Sequence, residues 1–143
     1  TDCLCCEARE AGSMLASIAR THARDGKKLA FLMGGETVVH LRGKGLGGRN
    51  QEIALSAALG IEGLSNALVF SVGSDGTDGP TDAAGGIVDG ETAQRLREKG
   101  VDPAKALEEN DSYHALDAVG ALIRTSATGT NVNDVSVLLL SAE

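Results

Sequence analysis

The residues with the clearest chemical potential stand in one short stretch, Arg42-Gly43-Lys44-Gly45-Leu46-Gly47-Gly48-Arg49-Asn50-Gln51-Glu52. Glycines let backbone N–H groups come close to an anion, because no Cβ intervenes. The apolar-periodic segment that follows predicts a helix, whose first turn adds unsatisfied donors and the positive end of a macrodipole. Lys44 and Arg49 add formal charge, so Gly43, Lys44, Gly45, Gly47, Gly48 and Asn50 read as a cradle for phosphate. Arg49 is a cation at a helix start, where the dipole disfavours it; a bound phosphoryl or carboxylate group would compensate, and a planar guanidinium suits either.

Two further loops carry polar groups. Asp75, Asp78 and Asp82 follow an apolar run, at the strand end where α/β sheets place ligands. Carboxylates there can hold Mg²⁺ on a nucleotide or take a proton from a hydroxyl, and Asp75 is the leading candidate. Their Asp-Gly pairs are also good turn formers in their own right. Thr128-Gly129-Thr130-Asn131-Val132-Asn133-Asp134 can line a polar pocket through Asn131 and Asn133, or serve only as a well-bonded turn.

Gly43, Gly45 and Gly48 also satisfy G-x-G-x-x-G, the form of a dinucleotide fingerprint. A lysine inside the turn and an acidic residue arriving late, at Asp75, speak against that reading. His22, His40 and His114 have no partner at metal-binding spacing.

Composition narrows the partners. Of the 143 residues only 2% are aromatic, and the net charge is −7. Nucleic-acid binding normally needs a broad basic face and stacking rings, so a small anionic ligand fits better. No apolar run reaches membrane-spanning length. Cys3, Cys5 and Cys6 are crowded together with no distant cysteine, which excludes an internal disulfide framework and a paired zinc site. Reduced thiols point to the cytoplasm.

The elements that must position these loops follow from periodicity. A helix is expected over Glu7 to Arg24, strands over Leu29 to Met33 and Glu36 to Leu41, and a helix over Asn50 to Leu59. A buried strand over Ala67 to Val72 precedes helices capped by Asp89, Asp102 and Asp111. Strands at Ala121 to Thr125 and Val135 to Leu140 close the chain. This alternation predicts an α/β, layered, Rossmann-like domain with a parallel or mixed sheet flanked by helices.

Taken together, Gly34-Gly35-Glu36-Thr37, Arg42-Gly43-Lys44-Gly45, Gly47-Gly48-Arg49-Asn50-Gln51-Glu52, Asp75 to Gly85 and Thr128 to Asp134 resemble the MOFRL domain. That domain is the carboxyl-terminal half of the glycerate 2-kinases, once labelled hydroxypyruvate reductases. The resemblance spans Leu29 to about Ser141, dividing the chain into residues 1–28, the terminal helix of a preceding domain, and a MOFRL-like domain over 29–143. It implies ATP-dependent phosphorylation of D-glycerate to 2-phosphoglycerate in a cleft between two domains, with ATP and Mg²⁺ as cofactors and the amino-terminal domain as partner. The family's catalytic Arg falls on Arg49 and its Asp on Asp75. Its amino-terminal Lys has no counterpart here, so the chain alone is expected to be inactive. The alternatives are an NAD(P)H-dependent hydroxypyruvate reductase and a non-catalytic anion-binding module.

Overall fold

A computed structural model of the chain describes residues 1–142. Ten elements follow in order: α1 (Ala8–His22), β1 (Leu29–Gly35), α2 (Arg49–Gly60), β2 (Ala67–Gly73), β3 (Gly85–Asp89), α3 (Thr92–Glu98), α4 (Pro103–Glu108), α5 (Ser112–Ala118), β4 (Leu122–Ile123) and β5 (Asp134–Leu140). The α/β class holds. The strands form one sheet in the order β1-β5-β2-β3-β4, and every ladder between them is antiparallel rather than parallel or mixed. The reason lies in the last strand. β1, α2 and β2 make the expected crossover, since β1 and β2 both run antiparallel to β5 and therefore parallel to each other. β5 then inserts between them and converts both contacts.

Two further departures are local. β3 was not expected, because it begins Gly85-Gly86. Here a Cβ on Gly85 would strike the Ser71 carbonyl, and one on Gly86 would stand 2.8 Å from Leu116 and 2.9 Å from Ala54. The glycines therefore permit close packing inside a strand. The segment Glu36 to Leu41 is β-branched, yet it forms no named strand. Its partner is the start of the chain, which runs alongside through parallel bridges Leu4↔Gly35 and Glu7↔Val38 and bonds such as Glu36 N–H to the Leu4 carbonyl (2.9 Å).

The helices lie on one face of the sheet. Phe31, Leu138, Val69 and Val88 are in register across β1, β5, β2 and β3 and join the core with Ile53, Leu55 and Leu15. α2 is buried on all sides from Asn50 to Ala58, as befits a helix enclosed by other elements. α1 packs on it so closely that a Cβ on Gly12 would reach Ile53 O and Ser56, and one on Gly60 would meet Ala16. Among the described residues, no helix is long and apolar enough to cross a membrane.

The first turn of α2 also buries a charge. Glu52 accepts from Asn110 Nδ2 (3.0 Å) and lies 3.4 Å from Arg9 Nε. Burial pushes its carboxyl above the ordinary 4.5, with the Asn110 and Arg9 contacts offsetting only part of that. A carboxyl raised on folding favours the folded state below its unfolded value, and that contribution fades as pH rises through the folded value. Relative to Glu52→Gln, the unaltered chain should therefore lose stability as pH climbs above about 4.5. Thermal unfolding of the pair across pH 4 to 7 measures this; a constant gap between them would refute it.

Candidate functional site

The glycine segment is not an open cradle. Asn110, a left-handed residue (φ 55°) between α4 and α5, accepts from the N–H groups of Arg42 (2.7 Å) and Gly43 (3.0 Å) through Oδ1. Gly45 N–H donates to Glu109 O (2.8 Å), and Leu46 N–H to Asp111 Oδ1 (3.0 Å). A Cβ on Gly43 would collide with the Glu109 backbone, on Gly45 with Asp111, and on Gly47 with the Ser112 hydroxyl. The glycines thus seat this loop against the α4–α5 corner, and Lys44 stays exposed beside it. Gly45→Ala is expected to cost about 1–3 kcal/mol by overpacking, measured by denaturant unfolding; an unchanged midpoint would show that the corner yields freely.

The start of α2 is likewise occupied. Asp78 is buried and accepts from the N–H groups of Asn50 (3.1 Å) and Gln51 (2.9 Å), and from Asn50 Nδ2 (3.2 Å). It serves as an N-cap supplied from a distant loop. Burial pushes its carboxyl upward against the pull of these donors. Asn50 Oδ1 accepts from Ser71 Oγ (2.6 Å), which in turn meets Ser136 Oγ at 2.7 Å. Asn50 and Asp78, expected at a ligand, are thereby placed inside the domain and saturated by it.

Arg49 faces the other way. Its Nε and Nη2 grip both oxygens of Asp134, at 2.5 and 3.2 Å, and Nη1 lies 3.2 Å from Glu36 Oε1. Its side chain is 35% exposed while Asp134 is buried. The hydrogen bond to Asp134 holds the guanidinium firmly protonated. Asp75 is close by: its Oδ1 and that of Asp134 lie 3.2 and 3.6 Å from where a Gly73 Cβ would stand. Asp75 accepts from Thr77 N–H (2.9 Å) and Thr77 Oγ1 (3.0 Å). Those two bonds, with the Arg49 charge, hold its carboxyl below the usual range.

The remaining expected residues separate. The loop bearing Asn131 and Asn133 does reach the Asp75 turn, through Val132 N–H to Ser74 Oγ (2.8 Å) and Thr128 N–H to Asp75 O (3.2 Å). Asn131 spends its side-chain oxygen on Asn133 N–H (3.1 Å), and Asn133 supplies a left-handed turn (φ 68°). Asp82 leaves the group entirely, accepting from Tyr113 Oη (2.7 Å) and Arg124 Nε (3.1 Å). The three loop aspartates thus point to three different places. Among the described residues, no three His, Cys, Asp or Glu side chains gather to hold a metal ion.

The opening beside Arg49 is a groove of about 650 Å³ lined by Glu36, Thr37, Leu41, Gly47, Gly48 and Arg49, among others. Thr37 is only 4% exposed, and its hydroxyl has no hydrogen-bond partner there. The N–H groups of Gly47 and Gly48 meet no acceptor among the described residues. The groove wall therefore brings together a cation, two glycines whose N–H groups have no acceptor, and, buried behind its surface, a hydroxyl without a partner. Thr37 and Asp134 lie in stretches the sequence singles out, but neither is assigned a role there. Asp134 opens the apolar strand β5, where its pairing with an arginine 85 residues away leaves no local mark.

Comparisons with known proteins identify the family. The MOFRL family model matches residues 29–134. D-glycerate 2-kinase of Thermotoga maritima is 55% identical over 98% of the chain, and glycerate 2-kinase of Pyrococcus horikoshii 49% identical over 96%. The chain spans about a third of the length of these relatives, 34% and 32% respectively. The crystal structure of glycerate kinase from Thermotoga maritima superposes with a TM-score of 0.93, over 97% of this chain and 34% of that one. The family match over most of the chain and the shared fold lead to one conclusion: this chain belongs to the MOFRL family.

Proposed function

We propose that the chain is the carboxyl-terminal part of a glycerate 2-kinase, which transfers the terminal phosphoryl group of ATP to the 2-hydroxyl of D-glycerate in the cytoplasm. The family-matched part begins at residue 29; residues 1–28 would connect it to the preceding domain, although their helix α1 packs into this domain's core. The observation that carries this reading is Arg49, locked by Asp134 at the rim of a groove also lined by Gly47 and Gly48, whose N–H groups have no acceptor among the described residues. Phosphoryl transfer needs positioning and charge neutralisation more than covalent chemistry. Arg49 would use its outward Nη1, exchanging Glu36 for the glycerate carboxylate or the transferred phosphoryl oxygens. Asp75, with its lowered basicity, suits orienting the attacking hydroxyl better than deprotonating it early.

The donor set places limits on the cofactors. The glycine loop's amides at Arg42, Gly43, Gly45 and Leu46 are already bonded, so a triphosphate or a pyrophosphate finds its footing at Gly47–Gly48 and Arg49 or on the other domain. The same occupation removes the bare pyrophosphate turn that a nicotinamide-dependent reductase requires. Among the described residues the carboxylates do not assemble a Mg²⁺ site, so no step is assigned to the metal.

The test is a pair of assays on the longer protein. ADP formation that depends on D-glycerate, with 2-phosphoglycerate as product, is the expected result. Oxidation of NAD(P)H on adding hydroxypyruvate, without ATP consumption, would replace this reading with the reductase. Binding of glycerate with neither activity would leave an anion-binding module.

A further inference from the structure

All five helices cover one face of the sheet, and the opposite face is apolar. Alternation along the strands puts Leu32, Val137, Phe70 and Ile87 in one row across β1, β5, β2 and β3, set by the pairings Leu32↔Val137, Phe70↔Val137 and Phe70↔Ile87. Leu139, beside Ala30, continues it in the next row. Leu32 is 63% exposed, Leu139 40% and Ile87 39%. A sheet that packs helices on one side and shows aliphatic side chains on the other is missing a layer, and contiguous apolar surface of this kind marks an interface.

We infer that this bare face is the docking surface for the part of the longer protein that the chain does not contain. The inference rests on the reading of the chain as one part of a larger enzyme, though not on what that enzyme phosphorylates. Two observations select the occupant. The chain spans about a third of its relatives' length, so twice its own mass is available to supply the layer. Thr1 to Leu4 lies along the free edge of β1, and the Thr1 amine donates to the Leu32 carbonyl (3.4 Å). Any segment joined to that amine therefore enters beside the most exposed residue of the row. The occupant is an apolar helix or sheet face from that segment.

The experiment is cysteine labelling of the longer protein in a Cys3→Ser, Cys5→Ser, Cys6→Ser background. Ala30→Cys, Leu139→Cys and Ile87→Cys report on the face; Lys99→Cys, on the exposed turn after α3, is the control. Ala30 is already exposed, so its replacement leaves the fold intact even if the larger changes do not. Maleimide should react at the face at least tenfold more slowly than at position 99, at every protein concentration. Reaction at the control rate overturns the proposal. Protection that disappears on dilution, in step with dissociation of a dimer, overturns it in favour of a second copy. The mass of the natural product separates the two layers of inference: a product no longer than this chain removes both, whereas a longer product with fast-reacting face cysteines removes only the docking.

Discussion

Arg49→Lys in the longer protein should lower kcat/KM for D-glycerate by about a thousandfold, mostly in kcat. Removing one preorganised charge donor from a phosphoryl or acyl transfer site costs on the order of 10²–10³ in rate, and here the substitution removes more than one bond. Arg49 holds both oxygens of Asp134 and still presents a third nitrogen to the groove. An ammonium is a single point of charge that cannot do both. Lysine either pairs with buried Asp134 and withdraws from the groove, or enters the groove and leaves that carboxylate uncompensated. A second measurement tests the coupling: Asp134→Asn should reproduce much of the loss without removing the cation. Normal turnover in Arg49→Lys would end the case for this residue as the phosphoryl or carboxylate contact.

Asp78→Ala should destabilise the chain by about 3 kcal/mol, the sum expected for losing a helix cap and the other hydrogen bonds to a buried charged group. In a domain of this size that lowers the melting temperature by roughly 10 °C. The substitution orphans the N–H groups of Asn50 and Gln51 in a place where water has little access, and frees the Asn50 side chain that ties α2 to Ser71 of β2. Asp78→Asn retains one acceptor oxygen and should recover part of the loss. A melting temperature within 2 °C of the unaltered chain for Asp78→Ala would show that another group caps α2. Because Arg49 is the first residue of that helix, the same variant should also loosen the groove in the longer protein.

The elements were largely visible in the sequence. Ala8, Ala11, Leu15 and Ala19 recur at helical spacing and form the buried stripe of α1, and Asp102-Pro103 announced the cap and first turn of α4, with Asp102 accepting from Ala104 N–H at 2.9 Å. What periodicity cannot carry is the position of a strand within a sheet. Nothing in Val135 to Leu140 says that it will slide between β1 and β2 rather than add to an edge, since a strand buried on both sides reads the same in either place.

The candidate site divides along similar lines. Arg49 and Asp75 stand out in the sequence because the residue types and their loops are distinctive, and the structure brings them close together beside Asp134. The glycine loop is ambiguous in sequence because glycine answers two needs alike: close approach of a ligand, and close approach of the chain to itself. Only the tertiary structure tells them apart, by showing Glu109, Asp111 and Ser112 where the Cβ atoms would be. Asn110 did leave a signal. An asparagine just past a helix end is a common left-handed stop, and its four hydrogen bonds then follow from that geometry.

The central place of β5 bears on how the chain acquires its shape during synthesis. β1 and β2 are made early, yet neither touches the other; β2 can pair with β3, but the ladders that join β1 to the rest of the sheet are made only by residues 134–140. A nascent polypeptide must therefore carry β1 apart from the β2–β3 pair, each with an apolar edge unmatched, until β5 emerges. Such long-range pairing slows folding and lengthens exposure to aggregation. Loss of a few residues from β5 would cut the sheet between β1 and β2 instead of trimming its rim.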